Sequence, residues 1–146
     1  MKEILIKLFE RDLEKLKIEI SSFKHEKKLW EISGDIKNSA GNLCLHLCGN
    51  LQHFIGAVIG NSGYVRNRDA EFSIKNLPQN ELLKEIETTA NIVEKTLSEI
   101  NEEKLQEIYP VNLFGEMKTE FFLVHLTTHL NYHLGQINYH RRLLDN

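Results

Sequence analysis

Along four stretches of the chain, apolar residues recur every three or four positions and polar residues fill the intervals. From about Lys2 to Phe23 the apolar set is Leu5, Phe9, Leu13, Leu16, Ile20 and Phe23, with Glu10, Arg11, Glu14 and Lys17 opposite. That period is helical, because residues three and four apart share one helix face. A second stretch, from about Ser39 to Gly60, is apolar nearly all round, which predicts a buried helix capped by Asn38 or Ser39. The third begins near Pro78, a residue suited to a helix's first turn, and its stripe of Leu82, Leu83, Ile86, Ile92, Val93, Leu97 and Ile100 ends it near Ile100. The fourth runs from about Met117 to Leu144, with Arg141 and Arg142 placed where cations suit the helix dipole. No stretch shows strand alternation. The pattern predicts an all-α protein, a four-helix bundle made of one domain over residues 1–146.

The connections set the topology. Between the second and third helices lies "NSGYVRNRDAEFSIKNL", long enough to run the length of the bundle. A crossover of that length makes these two helices parallel, which gives an up-down-down-up order with helices 2 and 4 antiparallel. Ile4, Ile6 and Ile18 lie off the main stripe of the first helix, and the second is apolar on every side. A lone bundle leaves one face of each helix in water, so a two-fold homodimer is expected.

Composition narrows the function classes. A chain of 146 residues, 41% hydrophobic and 27% charged, is large enough for a real core. The net charge of −3 argues against a nucleic-acid partner, which calls for a basic face. The one basic cluster, "KHEKK" from Lys24 to Lys28, reads as a solvated loop. No apolar run approaches the roughly 20 residues that span a bilayer, and the N-terminus lacks a signal-peptide core. A cytoplasmic location without a membrane partner is expected. Cys44 and Cys48 are too few for a disulfide framework. They lie on the side of their helix opposite His46, so they read as reduced, buried packing residues rather than ligands.

The histidines carry the candidate chemistry. Four of seven fall in "HLTTHLNYHLGQINYH", from His125 to His140. At roughly 100° per residue, His125, His129 and His133 climb one face, and either i, i+4 pair could grip one metal ion. The second helix offers His46 and His53 on a shared face, about 10 Å apart along the axis, so only one could join a mononuclear site. Spacing does not choose between them. A di-iron carboxylate site wants Glu-x-x-His motifs, and none occurs. Attached-haem, Gly-x-Ser-x-Gly and phosphate-loop signatures are also missing.

"HLNYHLGQI" on the last helix, with "LCLHLCGNLQHFIG" on the second, resembles the DinB/YfiT-like superfamily of metal-dependent four-helix-bundle proteins. "RNRDAEF" and "RDLEKL" extend the likeness over nearly the whole chain. The resemblance implies the same up-down-down-up bundle, and a divalent metal ion, zinc or nickel, held by His46, His129 and His133. It also implies an enzyme of the thiol S-transferase type, with a low-molecular-weight thiol and an electrophile as substrates, and a homodimer. Three protein ligands leave a position open, as catalytic zinc sites do. Asn50, one turn beyond His46, and Gln136, three residues past His133, are placed to bond a ligand imidazole or a metal-bound water. His125 and His140 read as supporting or packing residues, and His25 as a surface residue. Arg66 and Arg68 are candidates for an anionic substrate, with loop salt bridges the plainer role. Gly49, Gly56, Gly60 and Gly135 are expected at close helix contacts. A second class of function stays open: a non-catalytic metal-binding or stress-response bundle acting through its dimer surface.

Overall fold

The four long amphipathic stretches all fold as helices in the computed structural model, which describes residues 1–146. They are α1 (Lys2–Ser21), α2 (Ala40–Leu51), α4 (Gln79–Glu99) and α6 (Thr119–Leu144), with two short helices between them, α3 (Arg68–Ser73) and α5 (Glu102–Gln106). There is no β-sheet, only an isolated bridge between Ile108 and Lys118. The apolar stripe of α1 forms one side of the core, with Leu5, Phe9, Leu13, Leu16 and Ile20 almost wholly buried. No helix is long and apolar enough to cross a membrane.

Side-chain bonds between helices fix their directions. Gln79 at the start of α4 donates to the carbonyls of Ile20 and Phe23 at the end of α1, while Lys2 reaches the carbonyls of Ser98 and Ile100. These two helices are therefore antiparallel. Asn131 bonds Asp12, and Asn138 and Arg141 bond Glu19, so α1 and α6 run parallel. Gln52 donates to Glu85 and Thr89, while Gly56 faces Ile92 and Gly60 faces Thr96, so α2 and its continuation run with α4. His46 meets His129, while Phe54, eight residues on, meets Phe122, so α2 opposes α6. The order is up-down-down-up, as the long crossover predicts.

Three local features depart from the sequence expectations. First, α2 does not continue as an α-helix to Gly60. It widens after Leu51 into a π-helical stretch, Gln52–Ala57, where Val58 N–H donates to the His53 carbonyl five residues back. Wide turns of this kind change the helical phase of everything that follows. Second, the crossover holds α3, whose first turn is capped by the Asn67 side chain accepting from Ala70 N–H. Helix α3 packs on α2 and covers the side that α4 and α6 leave open. The apolar perimeter of α2 is thus buried by its own chain, while Ile4 and Ile18 of α1 stay exposed. Third, the basic "KHEKK" segment is no free loop. It enters a 3₁₀ turn, Glu26–Trp30, pinned by fully buried Leu29, and the backbone amides of Lys24 and His25 donate to Asp145.

Candidate metal centre

Because α2 and α6 oppose one another, the middle of α2 faces the middle of α6, and His46 meets the i, i+4 pair His129 and His133. One nitrogen from each of the three rings lies within 4.8 Å of the others, a grouping that could hold a metal ion. His46 Nε2 and His129 Nε2 are 3.2 Å apart. Ring centroids are separated by 5.1 Å for His46–His129, 5.4 Å for His46–His133 and 4.6 Å for His129–His133. Two nitrogens bound to one tetrahedral zinc at 2.0–2.1 Å would be about 3.3 Å apart, close to the His46–His129 spacing.

The outer nitrogens settle which atoms face inward. His46 Nδ1 lies 3.0 Å from Glu71 Oε1. Burial raises the Glu71 carboxyl, but bonds from His46 and Arg66 outweigh it and hold the group below its ordinary value, so it is an acceptor. Nδ1 of His46 therefore donates, and the lone pair sits on Nε2. On α6, His133 Nδ1 donates to Gln136 Oε1 at 2.6 Å, which again leaves the lone pair on Nε2. His129 Nδ1 is buried without a partner. Burial first, then the neighbouring imidazoles, lowers the His129 ring to about 4, and burial lowers His133 as well. Neutral imidazoles are the form that binds metals. Three imidazoles turned toward one point make a grouping that could hold a metal ion.

Glu71 is itself held by the two-pronged guanidinium of Arg66, with Nε to Oε2 at 2.8 Å and Nη2 to Oε1 at 2.9 Å. The pair is largely buried, with its charges balanced. The carboxylate reaches His46 only because position 49 is glycine. A Cβ there would stand 2.0 Å from Glu71 Oε2 and 2.6 Å from Cδ. Glu71 was not among the residues singled out from the sequence. Its one local signal is Asn67, a capping residue that starts a short helix in the crossover, but nothing local says which face of that helix meets His46.

The remaining candidates sort by contact. Gln136 bonds a ring of the cluster, whereas Asn50 is buried beside no imidazole partner and its Oδ1 is unbonded. His53 lies in the π-helical stretch, edge-on to Phe54, and stays outside the cluster. His125 packs between Phe114 and Phe122. His140 is buried with Nδ1 unbonded. Cys44 and Cys48 are free, buried and apart from the cluster, and the bond to Cys48, then burial, pushes the Cys44 thiol well up. Arg66 is committed to Glu71, and Arg68 lies over the Phe72 ring. Gly135 meets nothing within 4 Å, so it makes no close helix contact; it lies on the exposed side of α6.

A family model described as "Protein of unknown function (DUF1572)" matches residues 4–146. The crystal structure of the "conserved protein of locus from Enterococcus faecalis" superimposes with a TM-score of 0.80, over 99% of this chain and 96% of that one, at 15% identity. At that identity the likeness speaks for the fold alone. No curated protein matches the chain in sequence.

Proposed function

The chain belongs to the DUF1572 family, and from the three converging imidazoles we propose that it binds one divalent metal ion through His46, His129 and His133. The observation that carries this is the convergence itself: one nitrogen from each ring lies within 4.8 Å of the others, with Glu71 beside the outer nitrogen of His46 and Gln136 beside that of His133. Zinc and nickel suit an all-imidazole set. The likeness of the two histidine segments to the DinB/YfiT-like superfamily extends the reading to an enzyme of the thiol S-transferase type. A bound divalent ion would supply Lewis acidity, lowering the pKa of a coordinated thiol or water. The protein's part is to present three ligands and leave further positions free, as catalytic rather than structural sites do. Arg66 and Glu71 hold His46 in one orientation, and Gln136 does the same for His133. Two free thiols buried in the core fit a reducing, cytoplasmic setting.

The test is metal content of protein purified without an affinity tag, followed by conjugation assays of the loaded protein with a panel of low-molecular-weight thiols and electrophiles. One equivalent of metal, lost in His129→Ala together with conjugation, is the expected result. A parent that binds no divalent ion at micromolar concentration removes the metal reading. A loaded parent inactive with every thiol, whose His129→Ala variant loses most of its thermal stability, moves the protein to the non-catalytic class.

A further inference from the structure

A groove of about 600 Å³ runs along the C-terminal half of α6, between that helix and the segment leading into α2. It begins against His133, a proposed ligand, and Gln136, which bonds that ring, and ends near Leu143, so its length follows seven to ten residues of helix, about 10–15 Å. Its floor holds His140, which is only 6% exposed and whose Nδ1 has no hydrogen-bond partner. Buried polar atoms are rarely left unpaired. One wall is the row Tyr132, Tyr139 and Leu143, which are 65%, 61% and 61% exposed despite their size. Tyr139 carries the Arg142 guanidinium over one face, 5.3 Å from the ring centroid, which leaves its other face and the Tyr132 ring for stacking on an apolar partner. At the mouth stand Asp35 and Lys37, exposed, two residues apart, and in no ion pair within the chain.

We propose that this groove binds a small organic molecule with an aromatic or alkyl body and a zwitterionic, amino-acid-type end. The body lies along Tyr132 and Tyr139, and the charged end meets Lys37 with its carboxylate and Asp35 with its ammonium. A simple anion would be drawn to Lys37 and repelled by Asp35, and a simple cation the reverse, so only a group carrying both charges uses the whole mouth. As the place where a substrate would wait beside the metal, the groove rests on the metal reading above. As a binding site it stands without metal, since its lining includes one proposed ligand and otherwise residues outside the cluster.

The experiment maps amide shifts by NMR on isotope-labelled protein during titration with three probes: S-benzyl-L-cysteine, 3-phenylpropanoate and 3-phenylpropylamine. Shifts from the first should concentrate at residues 35–38 and 132–143, with each singly charged probe binding about tenfold more weakly, the worth of one lost charged hydrogen bond. Tyr139→Ala and Lys37→Ala should each weaken S-benzyl-L-cysteine by about the same factor, and both side chains are exposed, so the fold is not at risk. Shifts spread over other surfaces, equal affinity for all three probes, indifference to Tyr139→Ala, or no binding at the solubility limit would each overturn the proposal. Running the titration on His129→Ala separates the two readings. That variant should bind the probe as the parent does; a parent that binds the probe but never holds metal defeats only the metal centre, and a metal-loaded parent that ignores the probe defeats only the groove.

Discussion

The two helices that meet at the three-histidine cluster secure their rings by opposite means. On α6 everything is local: His129 and His133 are one turn apart, and Gln136, three residues on, accepts the outer proton of His133. On α2 nothing is local. His46 is oriented by Glu71, 25 residues away in a different helix, which is in turn clamped by Arg66 and admitted by the absence of a side chain at Gly49. The α6 side is therefore a property of a helix, present wherever that helix forms. The α2 side is a property of the crossover, and it exists only once α3 has docked on α2. Changes on the two sides should accordingly differ in size and kind.

The largest effect belongs to the proposed ligands. His129→Ala or His133→Ala should lower metal affinity by more than about a hundredfold, since two imidazoles hold a divalent ion poorly. The melting temperature of the metal-free protein should barely move, because the core is Leu, Ile and Phe and both rings are only half-buried. Competition with a chromophoric chelator and a thermal scan read both quantities on the same sample. Metal retained at full affinity would show that the cluster is not the site.

Next comes the crossover. Glu71→Gln should weaken metal binding by about ten- to a hundredfold, the usual cost of losing a carboxylate behind a ligand histidine. It should also cost about 1–3 kcal/mol of stability, because Arg66, mostly buried, loses its charge partner. Gly49→Ala should reproduce the loss of affinity without touching either charge, by pushing the carboxylate aside. If Gly49→Ala binds metal like the parent, the non-local account of His46 fails. Gln136→Ala should be milder, below about tenfold, because His133 is half-exposed and water can take the place of the amide oxygen.

The same division explains what could be read from the chain. The four helices, the crossover and its consequence for direction follow from hydrophobic period and loop length, both local. So does the grouping of His129, His133 and Gln136, which needs only the 3.6-residue turn. His46 could be narrowed by geometry to one of two, and a family resemblance chose between them. Glu71 could not be found, and Arg66 could be marked only as an anion or salt-bridge candidate without its partner, because their role depends on how a six-residue helix docks, and that is decided by tertiary fit. The widened turn of α2 was hidden for a related reason. Gly56 has Ile92 of α4 where its Cβ would go, at 2.6 Å, so the close contact that accompanies the π-helical stretch is set by a distant neighbour.

The smallest expected effect lies at the far end of α6, where that helix also depends on distant chain. Asp145, beyond the last turn, accepts from the amides of Lys24 and His25 and from the His25 ring at 2.6, 3.2 and 2.9 Å. Burial raises its carboxyl, but these bonds, led by the Lys24 amide, outweigh burial and hold it below the ordinary value. A carboxyl lowered in the folded state binds fewer protons there than in the unfolded chain. Its stabilising contribution is therefore complete above the unfolded value, about 3.9, and is lost as pH falls through the folded one. Metal-free protein should melt a few degrees lower as the pH is taken below about 4, and Asp145→Asn should start lower at neutral pH and lose less over the same range. Metal affinity at pH 7 should be the same in parent and variant, because the α6 side of the proposed site ends at Gln136. A change in affinity in Asp145→Asn would mean that the grip extends along the whole helix, and the contrast between a local side and a remote side would no longer hold.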